Sequence, residues 1–144
     1  MDAREFAGMM LDLERISRAS VESLFFRSCA QYELSMNELR LLLELHKAGR
    51  CTAGEMSDAL GILRGNMAGL AKPLERRGWI RRRRSLEDER VVFLELTEAG
   101  EAKAEGILSQ VQERFAPILQ NEPPETAEAI LTGLKSLYAL LAQI

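Results

Sequence analysis

The side chains in this sequence that are best suited to chemistry are five arginines placed on either side of one short acidic segment. They are Arg81, Arg82, Arg83, Arg84 and Arg90. A guanidinium group is always protonated and offers a planar set of N–H donors that matches phosphate and carboxylate groups. The pattern therefore indicates binding to an anionic partner, and it supplies neither a nucleophile nor a proton-transfer group.

The positive charge is concentrated in one part of a chain that is acidic overall. Residues 62–90 hold nine Lys and Arg against four Asp and Glu, whereas residues 1–61 hold seven against ten and residues 91–144 three against eight. The whole chain has a formal net charge of −3. A local excess of one sign on a background of the other favours binding to a polyanion such as a nucleic acid.

The sequence offers little for catalysis or metal binding. His46 is the single histidine, and Cys29 and Cys51 are far apart along the chain, so we expect no metal and no cofactor. There is no P-loop, dinucleotide-binding glycine motif or nucleophile–base pair, which argues against an enzyme. The two cysteines are expected to be reduced thiols, with a redox-sensing role as the alternative.

Length and hydropathy predict one globular domain in the cytoplasm. The chain has 144 residues, of which 47% are hydrophobic and 28% are charged, a balance typical of a folded domain. No apolar run approaches the roughly 18–20 residues of a transmembrane helix. Acidic residues interrupt residues 1–17, which argues against a secretory signal. We therefore expect no membrane partner.

The first half of the chain is predicted to be helical. Residues 2–29 carry apolar side chains at spacings of three and four, which is typical of an amphipathic helix. Two capping boxes follow, in which Ser35 is answered by Glu38 and Thr52 by Glu55. The two helices that these boxes begin are separated by only a few residues, which predicts a tight helical corner.

A fourth helix, a β-hairpin and two long helices are predicted next. Residues 62–78 have helical spacing, and Pro73 within them predicts a kink. Residues 79–84 and 91–96 are predicted to be strands because apolar and polar side chains alternate in the second segment, and SLEDER between them supplies the turn. The rest of the chain is predicted to form two helices divided within residues 117–124.

The segment that runs through the hairpin resembles a known family. DERVVFLELTEAG, from Asp88 to Gly100, is similar to the wing signature D-x-R-x-x-x-x-x-L-T-x-x-G of the MarR family of bacterial transcription regulators. LERRGWIRR, which precedes it, resembles that family's recognition-helix end and the start of its wing, and the resemblance extends over essentially the whole chain. It implies a mainly α fold with a small β-hairpin wing, in which a winged helix-turn-helix lobe is joined to a helical dimerisation domain.

The resemblance also implies how a single MarR-type domain over residues 1–144 is organised. Residues 2–30 and 98–144 would supply the dimerisation helices, and residues 35–97 the winged helix-turn-helix DNA-binding lobe. An obligate homodimer would cover apolar side chains that one chain leaves without a partner. The residues predicted at the dimer interface are Phe6, Met10, Leu13, Ile130, Leu134, Leu137 and Leu141.

On the same basis, the two winged lobes of the dimer would bind one DNA duplex. The recognition helix would enter the major groove, and the wing would follow the backbone with Arg90 oriented by Asp88 toward the minor groove. The residues that the resemblance places at double-stranded DNA are Thr52, Arg64, Asn66, Lys72, Arg76, Arg81, Arg82, Arg83, Arg84, Asp88 and Arg90. For Thr52, Arg76 and the Asp88–Arg90 pair, the alternatives are capping, helix-end solvation and turn formation.

The chain departs from the family pattern in its predicted recognition helix. Ala68 and Gly69 stand where relatives usually carry side chains that touch bases, Pro73 is unusual there, and Arg84 and Ser85 replace a common Pro-Asp. The leading hypothesis is a repressor that binds a pseudo-palindromic operator and is released by a small molecule. The alternative is a winged-helix module that binds another protein and has weak or non-specific DNA binding.

No residue is assigned to an effector site. In the family a small molecule, often an aromatic carboxylate, binds between the dimer helices and the winged lobe, so a small aromatic or anionic effector is expected. Arg18, Arg40 and His46 are candidates for contact with its anionic group. The alternatives are that the arginines are simply exposed and that the histidine packs between helices.

Overall fold

Six α-helices and three short strands follow one another along residues 1–144, all of which the computed structural model describes. The helices are α1 (Ala3–Tyr32), α2 (Met36–Ala48), α3 (Ala53–Leu60), α4 (Met67–Arg76), α5 (Glu98–Gln120) and α6 (Pro124–Leu141). The strands are β1 (Cys51–Thr52), β2 (Ile80–Arg84) and β3 (Val92–Leu96). The chain divides within α5 into unit 1, Met1–Leu108, and unit 2, Ser109–Ile144. The predicted mainly α fold with a β-hairpin wing is confirmed.

Side-chain hydrogen bonds explain where the first three helices begin. Ser35 Oγ accepts from the backbone N–H of Glu38 at 3.1 Å, and Thr52 Oγ1 accepts from that of Glu55 at 3.1 Å. Each glutamate in turn accepts from the backbone N–H of its capping residue, so both predicted capping boxes are confirmed. A third box, centred on Asp2, begins α1 and was not part of the sequence prediction.

The core of unit 1 is built around α2, which packs against α1, α3, α4 and β3. Its leucines Leu39, Leu41, Leu42 and Leu45 are fully buried. They are joined in one cluster by Met56, Met67, Leu74, Ile80, Leu94 and Ile107. Full burial of one such side chain stabilises a fold by about 1.5–3 kcal/mol. The core therefore fixes α4 and the hairpin against α2.

The strands form one antiparallel sheet in the order β1-β3-β2. β2 and β3 pair with Ile80 opposite Leu96 and Arg84 opposite Val92, which agrees with the predicted hairpin. The sheet has a third strand because β1 also pairs with β3. The sequence predicts only a helical corner at β1, since two residues are too few for an alternating pattern to appear.

The helix predicted over residues 62–78 begins later than expected. Its first part, Arg64–Asn66, is a 3-10 turn, and the α-helix covers Met67–Arg76. Leu63 precedes the turn and supplies no side-chain hydrogen bond to cap it, so the amides there lack the partner that Ser or Asp would provide. The helix continues through Pro73.

α5 also continues through a proline, Pro117, and ends at Gln120. Pro117 lies in the last turn, so its missing N–H removes a single helical hydrogen bond, and its carbonyl accepts from Asn121 Nδ2 at 2.9 Å. The chain then turns before Pro124, which is the first residue of α6. No helix in the chain is both long enough and apolar enough to span a bilayer.

Candidate nucleic-acid interface

The register of the hairpin places the four consecutive arginines on two different faces of the sheet. Arg82 stands opposite Leu94, which is buried, so this is the face that meets the core. Arg81 and Arg83 stand opposite Glu95 and Phe93 on the outer face. Alternation along a strand makes this separation unavoidable.

Arg82 is held by α4. Its Nε donates to Glu75 Oε2 at 3.0 Å and its Nη2 donates to Oε1 at 2.9 Å, and 28% of the Arg82 side chain remains exposed. The hydrogen bond from Arg82 lowers the pKa of Glu75, although partial burial opposes the shift. The expectation that all four arginines form one row along the phosphates is therefore wrong for Arg82, which joins α4 to the hairpin.

The other three arginines of the run are exposed but already have weak partners. Arg81 Nη1 and Arg83 Nε share one carboxylate oxygen, Glu95 Oε1, at 3.3 and 3.1 Å. Arg84 Nη1 donates to the backbone carbonyl of Glu89 at 3.0 Å. The ion pairs of Arg81 and Arg83 with Glu95 are partly exposed and contribute at most about 1 kcal/mol each, so an incoming phosphate can replace them at little cost.

The turn of the hairpin is a frame for Arg90. Ser85 Oγ accepts from the backbone N–H groups of Glu87 and Asp88, and Asp88 Oδ1 accepts from the backbone N–H of Arg90 at 3.0 Å. The Arg90 side chain donates to the same carboxylate from Nε at 3.1 Å and from Nη2 at 3.3 Å. This pairing lowers the pKa of Asp88. Asp88 thus orients a guanidinium whose side chain is 90% exposed, as the sequence predicts.

α4 presents a mixed outer face. Met67, Ala71 and Leu74 are buried against the core, whereas Lys72 and Arg76 are exposed. Arg76 makes no hydrogen bond or ion pair, so its side chain is free to meet a ligand. The same outer face carries the exposed small residues Ala68 and Gly69, and the 3-10 turn that precedes α4 exposes Gly65 and Asn66.

Thr52 and Arg64 are brought together at the first turn of α3. Thr52 caps this helix, and the Arg64 guanidinium lies over Gly54, where a Cβ would stand 3.1 Å from Arg64 Nη1. Arg64 Nη2 is also 3.1 Å from Asp58 Oδ2. A glycine at position 54 therefore lets a cation lie against a helix N-terminus, which is the end that favours anions.

The Leu-Thr-x-x-Gly part of the wing signature has a structural role. Thr97 Oγ1 donates to the carbonyl of Gly78 and accepts from the backbone N–H of Gly100 at 3.1 Å, which caps α5. A Cβ on Gly100 would lie 2.0 Å from the carbonyl oxygen of Trp79. These contacts hold the start of α5 against the turn at Gly78, whose φ of +77° suits glycine.

The residues predicted at the dimer interface keep apolar surface exposed within each unit. In unit 1, Phe6 and Met10 are half-buried and Leu13 is 41% exposed. In unit 2, Leu137 is half-buried, and its neighbours on α6 are more exposed. The exposed fractions are 55% for Ile130, 39% for Leu134 and 37% for Leu141.

The three candidate contacts for an effector, His46, Arg18 and Arg40, have different surroundings. His46 lies between two carboxylates, with Nδ1 2.6 Å from Glu101 Oε2 and Nε2 3.1 Å from Glu105 Oε1. Two carboxylates beside one ring disfavour the approach of an anion, so His46 is poorly placed to contact the anionic group of an effector. Arg18 is paired with Glu14, and Arg40 is exposed.

The thiols are not activated. Burial raises the pKa of Cys29 and of Cys51, and the nearby carboxylates of Glu38 and Glu55 raise them further. A raised pKa suppresses the thiolate that oxidants attack, so the local chemistry opposes the redox alternative. No group of three or more His, Cys, Asp or Glu side chains in the chain is arranged to hold a metal ion.

Sequence reasoning missed two arginines. Arg50, between α2 and β1, lies over the ring of Phe93 with Cζ 4.0 Å from the centroid. Arg77 donates from Nη1 to the carbonyl of Tyr32 and from Nη2 to that of Glu33, both at 2.6 Å, and so caps the end of α1. Arg50 lies outside the basic segment 62–90, so charge counting gave no signal for it.

Two capped helices, a partly exposed fourth helix and a hairpin with a positioned arginine at its turn define a winged helix-turn-helix protein. The chain belongs to the MarR family, whose model matches residues 34–92. It is 32% identical over 114 residues to the HTH-type transcriptional regulator FarR of Neisseria gonorrhoeae, a match that covers 79% of this chain and 75% of FarR. The protein is therefore a transcriptional regulator of this family, and the sequence prediction of the family is confirmed.

Further similarities agree with this assignment. The chain is 43% identical over 60 residues to the transcriptional repressor MprA of Escherichia coli K12, a segment that is 42% of this chain and 34% of MprA. The crystal structure of NadR in complex with 4-hydroxyphenylacetate superposes with a TM-score of 0.76 at 28% identity and covers 93% of each chain. The likeness to NadR extends over nearly the whole fold, whereas the likeness to MprA is confined to one segment.

Proposed function

We propose that the protein binds a pseudo-palindromic DNA operator as a homodimer, represses transcription from it and is released by a small aromatic or anionic effector. The observation that carries this proposal is the Arg90 side chain, which is 90% exposed and is held by Asp88 at the turn of the hairpin. An exposed ion pair of this kind contributes at most about 1 kcal/mol to the free energy of folding, so stability alone does not explain why the Arg90 guanidinium is held in one orientation. An arginine presented in this way suits a narrow minor groove, where the negative potential is enhanced.

The charge distribution supports a duplex as the partner. Arg81 and Arg83 on the outer face of the hairpin and Lys72 and Arg76 on α4 are exposed cations available for phosphate contacts. Phosphate contacts of this kind supply most of the non-specific affinity and set the register of the protein on the helix. Asn66 at the start of α4 is the side chain on this surface best suited to an adenine edge.

The exposed apolar side chains support a homodimer. Leu13 on α1 and Ile130 and Leu134 on α6 are 41%, 55% and 39% exposed, and apolar surface of this extent favours a protein partner. A second copy of the chain is the simplest partner, and a two-fold symmetric dimer requires an operator with matching symmetry. A regulator that acts on bacterial chromosomal DNA works in the cytoplasm, which agrees with the location expected from the sequence.

The class of effector is supported by one similar structure. NadR, 28% identical, is known in complex with 4-hydroxyphenylacetate, which combines an aromatic ring with a carboxylate. We propose an effector of the same class, and the position of Glu101 and Glu105 beside His46 disfavours this histidine as the contact for its carboxylate.

One observation favours a second candidate, a winged-helix module that binds a protein partner. The outer face of α4 exposes Ala68 and Gly69, and the 3-10 turn before it exposes Gly65. None of these three has a side chain that can hydrogen-bond to a base edge. Base readout from this helix is therefore limited to a few positions.

Selection of bound duplexes from a random DNA pool separates the two candidates. The operator proposal expects an enriched motif with two related half-sites about one helical turn apart. The Arg90→Ala variant, selected in parallel, should enrich the same motif more weakly or not at all. Recovery of unenriched DNA by the unmodified protein would contradict the operator proposal and leave the protein-binding module as the better account.

A further inference from the structure

The outer side of the sheet holds a groove whose lining combines predicted DNA contacts with residues that have no assigned role. It has a volume of about 690 Å³ and lies between the end of α2 and the hairpin turn. Its lining combines positive charge with an aromatic ring and an exposed leucine. The lining residues used below are Arg50, Arg83, Arg84, Phe93 and Glu87.

The register of the sheet connects this groove to two predicted phosphate contacts. Thr52 on β1 stands opposite Phe93 on β3, and Phe93 stands opposite Arg83 on β2. The three residues therefore form one row across the sheet. Neighbouring strands are about 4.8 Å apart, so Thr52 and Arg83 lie roughly 10 Å from each other with Phe93 between them.

Arg50 covers the middle of this row. Its guanidinium stacks on the Phe93 ring at 4.0 Å, and the side chain is exposed and makes no hydrogen bond or ion pair. It differs in this from Arg81 and Arg83, which share Glu95. Stacking on an aromatic face holds the plane of the guanidinium while leaving its N–H donors directed to solvent. Arg50 is thus oriented and unoccupied.

We propose that this groove binds a phosphate group of the DNA backbone, with Arg50 as the principal donor, and that it links the contact at Thr52 to the contact at Arg83 in one continuous row. The inference rests on the proposed function, because it extends the same DNA surface. A guanidinium pairs with a phosphate through two parallel hydrogen bonds, and the edge of Arg50 that faces away from Phe93 is available for both.

Charge selects DNA over other occupants. The groove is lined by Arg50, Arg83 and Arg84 against one carboxylate, Glu87, and Glu95 contacts Arg83 from outside the lining, so the local charge remains positive and favours a phosphate. Arg83 also lines the groove, and Thr52 stands in the same row across the sheet; both are predicted DNA contacts. An acidic peptide would meet the same charges, but nothing would align it with the row across the sheet.

Arg50→Ala tests the proposal on the duplex selected from the random pool. Because each lobe of the dimer would lose one phosphate contact, binding should weaken about tenfold, and the slope of log K against log salt should become shallower by about 2. Arg27→Ala removes an exposed arginine from α1 and should leave both quantities unchanged. Arg50 contributes to folding only through its exposed stacking on Phe93, which is worth about 1 kcal/mol or less, so the melting temperature of the variant should change little. Arg50→Gln repeats the test with a side chain of similar length.

A second substitution examines the stacking. Phe93→Leu removes the ring that orients Arg50 and should weaken DNA binding, whereas the double variant should bind no more weakly than Arg50→Ala alone, since Phe93 acts through Arg50. Additive losses would overturn this role of Phe93.

The outcomes also separate this proposal from the proposed function. If both Arg50 variants keep their DNA affinity and salt slope while Arg90→Ala still weakens binding, the proposal that the groove binds a phosphate is refuted and the proposed function stands. If the unmodified protein binds no duplex, the proposed function itself fails. Binding of an acidic peptide in the groove with DNA affinity unaffected by the Arg50 variants would also overturn the proposal.

Discussion

Arg82 and Glu75 are joined by two hydrogen bonds, from Nε to Oε2 at 3.0 Å and from Nη2 to Oε1 at 2.9 Å. The pair connects β2 to α4 within unit 1, and both side chains are partly buried, with 28% and 37% of their surface exposed. Arg83, the next residue after Arg82, lies on the other face of the sheet. We therefore expect Arg82 to contribute to stability and Arg83 to contribute to DNA binding.

Arg82→Ala and Arg83→Ala should separate stability from DNA binding. Loss of Arg82 leaves Glu75 without its partner and should lower the free energy of unfolding by about 1 kcal/mol, with the salt dependence of DNA binding unchanged. Loss of Arg83 should leave the melting temperature almost constant and reduce the slope of log K against log salt by about 2 per dimer. Thermal melts and titrations at several salt concentrations measure both. Equal effects of the two variants on the salt slope would contradict the assignment of faces.

The Glu75–Arg82 pair also predicts a pH dependence. The pKa of Glu75 is lowered in the folded protein by the hydrogen bond from Arg82, so the folded state favours the ionised carboxylate and gains stability at any pH above the ordinary pKa of about 4.3. This contribution is lost as the pH falls through the lowered value. The Glu75 side chain is more than one-third exposed, so the contribution of the pair to the free energy of unfolding should be at most about 1 kcal/mol.

Glu75→Gln should therefore melt below the unmodified protein by a constant difference between pH 8 and about pH 5.5, and the difference should shrink toward zero below about pH 4. Glu87→Gln, which removes an exposed carboxylate with no ion pair, serves as the control and should show no comparable trend. A Glu75→Gln difference that grows in acid would reverse the expected sign and refute the argument.

Gly100 has a steric reason to be glycine. A Cβ at this position would lie 2.0 Å from the carbonyl oxygen of Trp79, which is backbone and cannot move without shifting the hairpin. Gly100→Ala should lower the free energy of unfolding by about 3 kcal/mol or more. Gly106→Ala is the matched control, because its nearest contact would be Tyr32 Oη at 3.7 Å and alanine favours a helix by up to about 1 kcal/mol. Denaturant midpoints compare the stabilities of the two variants. A Gly100→Ala protein as stable as Gly106→Ala would show that the backbone at Trp79 can shift to accommodate the added Cβ.

What the sequence predicts well is what depends on neighbours along the chain. The capping boxes at Ser35 and Thr52 need only a glutamate three residues later, and the hairpin follows from the alternation around Leu94. The same local logic accounts for Arg90, because its partner Asp88 is two residues away. Such short-range patterns survive whatever tertiary structure surrounds them.

What the sequence misses depends on which surfaces meet in the folded lobe. Alternation places Arg82 on the face opposite Arg83. Only the packing of α4 on β2 shows that Glu75 lies on that face and accepts a hydrogen bond from Arg82. Arg50 meets Phe93, a residue 43 positions away, through a strand of two residues that no pattern reveals. No local rule anticipates contacts of this range, so they required the structure.

The homodimer is tested on α6. Leu134 is 39% exposed in unit 2, and a glutamate in its place would put an unpaired charge into the proposed interface. Leu134→Glu should shift the protein from dimer toward monomer or aggregate and abolish operator binding, and removal of residues 123–144 should give an aggregating product. Lys135→Glu changes charge at the adjacent exposed position and should remain a dimer. Sedimentation velocity decides the matter, and a monodisperse monomer of the unmodified chain at micromolar concentration would refute dimerisation.

Arg90 and Asp88 give the sharpest test of the DNA-binding proposal. The pair is exposed at the turn of the hairpin, so Arg90→Ala should leave the melting temperature almost unchanged. On the selected operator the same variant should bind at least about tenfold more weakly, because each of two wings loses a contact worth about 1 kcal/mol or more. Asp88→Ala should weaken binding less, since removal of an anion near the phosphates offsets the lost orientation of Arg90.

Fluorescence anisotropy with the operator measures the affinities, and thermal melts of the free proteins measure the stabilities. If Arg90→Ala instead lowers the melting temperature and keeps full affinity, the wing is only structural. DNA binding would then depend on α4 and the 3-10 turn before it, whose exposed Gly65, Ala68 and Gly69 have no side chain that can hydrogen-bond to a base.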